Sequence, residues 1–247
     1  MEAIGSFSTA QIVVALFAAL GASFIRGLTG FGMAILLVPI MALALPPVEA
    51  VLIANGLSVL IGLSELPRLL RGAERSAWAI AGLCMVVTPA GLLALAATGA
   101  DLARFIIALI ALSAFVAVLI PRLLPDQPGI ATIGTVGILS GLMTGYAGMP
   151  GPPVVPFYVS RSLPRETAKT SMLLIFTFAA GAGLVSGAAI GVATTSLALL
   201  TLLLFPAVLV GNWLGNKASG TVSDPVWRIS VGVVLGAAAL AALIRLL

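Results

Sequence analysis

The chain has 247 residues, of which 61% are hydrophobic and 8% are charged, whereas about 25% of an ordinary soluble domain is charged. Twelve basic and eight acidic side chains cannot cover a globule of this size, so the composition excludes a water-soluble fold. The sequence contains no histidine, which removes the commonest general base and the usual zinc and haem ligand. We therefore expect no enzyme, no catalytic residues, and no metal or cofactor.

Hydrophobic runs bounded by glycine, proline and charge predict about ten helical segments in one domain over residues 1–247. A helix needs about 20 apolar residues to cross roughly 30 Å of hydrocarbon, so we expect an all-α, multi-pass protein in the lipid bilayer. The segments 30–45 and 147–160 are shorter and contain proline, which predicts broken or re-entrant helices. The ten runs fall at about 9–26, 30–45, 47–66, 76–98, 101–121, 129–145, 147–160, 165–190, 195–216 and 225–246.

Two glycine-rich stretches, 27–32 and 141–153, precede or form these short segments. The second holds four glycines and three prolines, Pro150, Pro152 and Pro153, within thirteen residues, a density that no regular helix tolerates. Unwound backbone at membrane depth needs protein or a wet cavity beside it, and the N–H groups that start a half-helix attract anions. The alternative is that the glycines only allow close helix packing.

The third segment carries a polar face on which Asn55, Ser58 and Glu65 share one side of a helix. This face either lines a pathway or supplies hydrogen bonds between helices. Arg26, just before the first glycine stretch, would either reach the membrane surface or help to hold an anion. The next charged stretch, which we expect to be a solvated loop, contains Arg68, Arg71, Glu74 and Arg75.

The two halves of the sequence resemble each other when one is shifted by 117 residues. This predicts a first repeat at 9–121 and a second at 129–246, with Thr170 and Ser171 falling close to the position of Asn55. Because each repeat holds five segments, the second enters the membrane inverted relative to the first. The matched pairs are Val38-Pro39 with Val155-Pro156, Pro47 with Pro164, Glu49 with Glu166, and Pro89 with Pro206.

The distribution of basic residues discriminates between crossing and re-entrant short segments. If all ten segments cross, ten of the twelve basic residues lie on one side and only Arg104 and Arg245 on the other. If the two short segments re-enter, five basic residues, including Arg68, lie on one side of the membrane and the other seven lie on the opposite side. This distribution has almost no bias. We therefore favour ten crossings. The net charge of +4 is explained by orientation in the membrane, so we expect no nucleic-acid partner.

With these motifs in place, the sequence resembles the sulfite exporter TauE/SafE family. The resemblance rests on GxxGxGxxxxxVP from Gly27 and on GLxxGxxGxPGPPxVPxxxxxxLPxxxAxTS from Gly141 to Ser171. The first stretch departs from the family pattern at Phe31 and Met33, where further glycines are frequent. The resemblance implies a multi-pass permease of the bacterial inner membrane for small sulfur-containing or organic anions.

We therefore expect a secondary transporter, most simply an exporter of sulfite or organosulfonates, that works by alternating access around the two glycine-rich stretches. A proton or sodium ion is the candidate for coupling, and the oligomeric state is not set by the sequence. The alternative is a structural or assembly protein of the membrane without transport activity. The candidate substrate-binding residues are Gly30, Phe31, Gly32, Asn55, Gly145, Tyr146, Gly148, Gly151, Thr170 and Ser171.

Overall fold

The computed structural model describes residues 7–29, 32–119 and 128–218, and every regular element in these ranges is a helix. This confirms the all-α prediction for the described part of the chain. The predicted segment 225–246 lies outside the described residues. The helices are α1 (Thr9–Thr29), α2 (Met33–Ala44), α3 (Pro47–Ser64), α4 (Leu66–Gly72), α5 (Arg75–Ala97), α6 (Ala100–Leu119), α7 (Ile130–Ala147), α8 (Gly151–Val159), α9 (Arg165–Ala189) and α10 (Thr195–Ala218).

Six of the described helices, α1, α3, α5, α7, α9 and α10, are long and apolar enough to cross a membrane. By contrast α2 has 12 residues and α8 has 9, so they extend about 18 Å and 14 Å. Both helices are short because glycine or proline lies at their ends. Gly32 precedes α2 and Pro46 follows it, and Pro150 precedes α8. The two segments predicted to be shorter than a span are therefore short helices.

Contacts at both ends of α1 show the direction in which α1, α2 and α3 run. Near the start of α1, Gln11 donates from Nε2 to the carbonyl of Ala44 at the end of α2, at 2.9 Å. Near its other end, Arg26 lies 3.7 Å from Glu65, the residue that follows α3. Hence α1 and α3 are parallel and α2 returns the chain between them. A re-entrant segment would have made α1 and α3 antiparallel, so these contacts favour a broken helix that completes a crossing.

Two parallel helix pairs connect the early and late parts of the chain through glycines. Gly145 of α7 packs on Thr88 and Leu92 of α5, and α1 packs in the same way on Gly211 and Gly215 of α10. Since α5 starts at the end of the bundle where α1 finishes, α7 runs opposite to α1. In the centre α3 packs on α9, which runs in the reverse direction.

One end of the bundle collects basic side chains from both halves of the chain, and we call it the basic end. Arg26 and Arg68 meet there at Glu65. At the opposite end Arg104 donates from Nε to the carbonyl of Ala42, at 2.6 Å. The other basic residues described at the basic end are Arg71, Arg75, Arg161, Lys169 and Lys217.

The charged stretch after α3 was predicted to be a solvated loop, and this prediction was wrong in part. It contains α4, whose first turn holds Pro67 and whose Leu69 is fully buried. Proline suits the first turn of a helix because that turn has no acceptor for its N–H group, and burial of Leu69 against its neighbours holds the helix in place. Two charged side chains of the stretch are also paired: Arg68 with Glu65 and Glu166, and Glu74 with Arg161.

Candidate functional site

A cavity of about 50 Å³ lies where the starts of α2 and α8 meet the middle of α3 and α9. A volume of this size holds a few water molecules or one compact ion. Both glycine-rich stretches contribute to its wall. The lining residues are Arg26, Gly32, Met33, Ala34, Ile35, Asn55, Ser58, Ile61, Gly62, Gly148, Met149, Pro150, Gly151, Val155, Leu173, Phe176, Thr177 and Ala180.

The start of α2 presents backbone donors to this cavity. Gly32, with φ of 92°, turns the chain into the helix, and no side chain caps the first turn. The N–H groups of Met33, Ala34 and Ile35 therefore have no acceptor within their own helix, and these residues line the cavity. The partial positive charge of a helix start adds to the preference for an anion.

The start of α8 has the same place in the cavity but fewer donors. Gly148, with φ of 67°, ends α7, and Pro150 and Gly151 lead into α8 without a side-chain cap. Pro152 and Pro153 have no N–H group, so Gly151 is the only residue of the first three that can donate from its backbone. This side of the cavity thus contributes shape more than hydrogen bonds.

Four polar side chains line the cavity, Arg26, Asn55, Ser58 and Thr177, and two of them have contacts that bear on ligand binding. Asn55 is 1% exposed, and its Nδ2 has no hydrogen-bond partner in the described part of the chain. A buried polar atom without a partner costs about 1–3 kcal/mol, which a bound ligand would recover. Arg26 is the charged residue of the wall; it is 8% exposed and donates from Nη1 to Oδ1 of Asn212, at 2.9 Å.

The structure brings together some of the predicted site residues and separates others. Gly32, Asn55, Gly148 and Gly151 line the cavity. Gly30 and Phe31 lie outside the described residues. The other four predicted residues, which do not line the cavity, are Gly145, Tyr146, Thr170 and Ser171.

Those four residues have contacts of other kinds. Gly145 lies in the α5–α7 interface, and the buried hydroxyl of Tyr146 has no hydrogen-bond partner within the described ranges. Thr170 donates to the carbonyl of Glu166 and packs near Gly72 of α4. Ser171 accepts a hydrogen bond from the N–H of Glu74, at 2.9 Å. Gly145, Thr170 and Ser171 therefore take part in contacts between neighbouring elements.

Sequence reasoning did not identify the part of the wall that α9 provides. Thr177 and Phe176 line the cavity together with Leu173. The position of Thr177 two helical turns after Thr170 was the available signal, because residues seven apart share a face of a helix. The three backbone donors of α2 have no side-chain signature at all.

A charged network holds the far end of α8 at the basic end of the bundle. Arg161, which is 7% exposed, donates from both Nη atoms to the carboxylate of Glu74, at 2.8 and 2.7 Å. The guanidinium lowers the pKa of the Glu74 carboxyl below its ordinary value of 4.5. Ser76 bridges Glu74 to the hydroxyl of Tyr158. The network thus fixes α8 relative to α5 while its start faces the cavity.

Comparison with known proteins yields one match. The family model described as "Sulfite exporter TauE/SafE" matches residues 15–242, which is most of the chain. No curated protein matches, and no solved structure matches.

Proposed function

Because this chain belongs to the sulfite exporter TauE/SafE family, we propose that it is a secondary transporter that exports a small anion such as sulfite or an organosulfonate. The family accounts for membrane transport of sulfite-like anions, and the cavity accounts for the binding step. The observation that carries the proposal is the convergence of both helix starts, Asn55 and Arg26 on one cavity.

The chemistry of the cavity wall favours a compact oxyanion. Backbone N–H groups of α2 and the amide of Asn55 are donors, and Arg26 supplies positive charge. Hydrogen bonds from such groups to an anion are stronger than those between neutral partners. The rest of the wall is largely apolar, so a bulky substituent on the anion would have to fit beside Phe176 and Val155.

The packing directions support transport by two inverted repeats. Helices α1 and α7 run in opposite directions, as do α3 and α9. In addition, α1 from the first part of the chain packs on α10 from the second, and α5 from the first part packs on α7 from the second. In such an arrangement the repeats rock around a fixed central site. We assign the role of that site to the cavity between α2 and α8, because both helix starts line it.

Electrostatics favours export from a cell with a negative interior. Moving one charge through 100 mV is worth about 2.3 kcal/mol, so an outgoing dianion gains about twice that without a coupling ion. We propose that the protein lies in the bacterial inner membrane with the basic end in the cytoplasm, as the positive-inside rule requires. With Cys84 replaced, single cysteines at Ala73 and Gly129 should then be protected from an impermeant thiol reagent in intact cells, and cysteines at Thr98 and Gly191 should be labelled.

Flux in proteoliposomes tests the function directly. Vesicles containing the purified protein should transport sulfite, thiosulfate or a two-carbon sulfonate, and the flux should accelerate when the potential drives negative charge out of the loaded side. Protein-free vesicles are the control. If only carboxylates or other anions move, the substrate assignment is wrong. If no small anion moves, the protein is better explained as a structural component of the membrane.

A further inference from the structure

A second, larger depression of about 480 Å³ lies at the basic end and shares Arg26 with the cavity. Three basic side chains and one acidic side chain line it, so its local charge is strongly positive. We call it the basic depression. It is formed by Arg26, Ser64, Glu65, Pro67, Arg68, Lys169, Asn212 and Asn216.

Arg26 is a residue that lines both the cavity and the basic depression. Its guanidinium is held by Asn212 at 2.9 Å and lies 3.7 Å from Glu65. The distance to Glu65 exceeds that of a hydrogen bond, so the carboxylate is a loose partner for a side chain that is 9% exposed. A buried guanidinium has strong affinity for an oxyanion that can approach it more closely than this.

Glu65 also forms an ion pair with a second cation. It therefore neutralises only part of the positive charge of the basic depression. Its other oxygen lies 3.2 Å from Nη1 of Arg68, and Arg68 is further paired with Glu166 of α9. Lys169 has no ion-pair partner within the described ranges. The wall therefore carries more cations than carboxylates, and Glu65 is the one carboxylate in contact with the buried Arg26.

We propose that the basic depression is a second anion-binding site, in which a small oxyanion displaces Glu65 from Arg26 before it passes to the cavity. Glu65 acts as a resident competitor that occupies the guanidinium when no anion is bound. The idea rests on the proposed function for the identity of the anion, and it adds a loading site and a specificity-determining carboxylate to it.

The test compares two carboxylates that differ in their contact with Arg26. Glu65→Gln removes the competitor, whereas Glu166→Gln removes an equal charge from the same end but touches only Arg68. Binding of sulfite to the purified protein is measured by equilibrium dialysis in detergent without anionic lipid. We expect Glu65→Gln to lower the Kd about fivefold, the effect of losing one partly exposed ion pair, and Glu166→Gln to change it less than about twofold.

A variant in the wall of the basic depression should change the Kd for sulfite in the opposite direction. Asn216 lines the basic depression and its side chain is exposed, so Asn216→Asp should fold normally and raise the Kd about fivefold through repulsion of the anion. Equal effects of Glu65→Gln and Glu166→Gln, no effect of Asn216→Asp, or no binding of sulfite to the wild type would each overturn the second site. Absence of flux with the expected pattern of Kd values would overturn the transport proposal alone.

Discussion

The glycines of the α5–α7 interface and those of the cavity differ in what surrounds them. A Cβ atom at Gly145 would lie 2.1 Å from the carbonyl oxygen of Thr88, so the two backbones are in direct contact. A Cβ atom at Gly151 would meet only side chains, none closer than 3.7 Å, and Gly32 and Gly148 instead provide turns with positive φ. The comparison shows that one residue type serves close helix packing in one place and an open, irregular cavity wall in the other.

The largest expected effect comes from breaking the interface. Gly145→Leu should separate α5 from α7, because the obstacle is backbone that cannot move aside, and overpacking of this kind costs about 3 kcal/mol or more. We expect loss of the monodisperse peak in size-exclusion chromatography of the detergent extract. Gly134→Leu is the matched control in the same helix, since no atom lies within 4 Å of its Cβ position in the described structure. A normal peak for Gly145→Leu would contradict the packing role.

Filling the cavity should leave the fold and remove the flux. Gly151→Leu places a large side chain in a space of about 50 Å³, so we expect at least about tenfold slower transport, equivalent to about 1.4 kcal/mol in the barrier. The yield should be normal, because the atoms nearest to the Cβ position belong to side chains and lie 3.7 Å or more away. Gly151→Ala is the control, because its Cβ makes ordinary contacts with Val155 and Ile35. Unchanged flux in the leucine variant would place the pathway elsewhere.

A smaller effect is expected from the polar wall of the cavity. Asn55→Ala removes a buried amide with an unpartnered Nδ2, so the KM for the transported anion should rise about fivefold, the value of one hydrogen bond. Ser186→Ala removes another buried polar group, whose hydroxyl only donates to the carbonyl of Ala182, and should leave the KM unchanged. Similar KM values in the two variants would show that Asn55 does not contact the anion.

The smallest effect concerns the support of α8 rather than the cavity itself. Because Arg161 lowers the pKa of Glu74, the pair stabilises the fold at pH 7, and this contribution is lost as the pH falls below about 4.5 through the lowered pKa. Glu74→Gln should therefore lower the Tm at pH 7 by about 2–4 °C and reduce its decrease between pH 7 and pH 4. Asp101→Asn, which breaks an exposed pair with Arg104, is the control. An equal pH dependence in wild type and Glu74→Gln would contradict this role.

The sequence predicts helices and broken segments well, because both depend on local composition. Apolar length predicts the long helices, and proline with glycine predicts that α2 and α8 are short. The neighbour of a given helix face is not a local property. Gly145 and Gly151 belong to one glycine-rich motif, yet the first lies against α5 and the second faces the cavity.

The site was predictable where an irregular backbone marks it and unpredictable where packing creates it. The stretches around Gly32 and Gly148 indicated unwound chain, and the cavity lies between them. Thr170 and Ser171 were expected beside Asn55 because of the repeat, but they face α4 and the N–H of Glu74. Because α4 has no counterpart in the second half of the described chain, the repeat alone could not place these two residues.

The pairing of α1 with α10 sets the order in which the helices can assemble during synthesis. The glycine contacts between α5 and α7 join segments that are close in sequence, whereas Gly27 of α1 packs on Gly215. At about 5–20 residues per second, the ribosome needs roughly 10–40 s to make the chain between those two glycines. During that interval the side of α1 that packs on α10 lacks its final neighbour, so an early helix is among the last to reach its final packing.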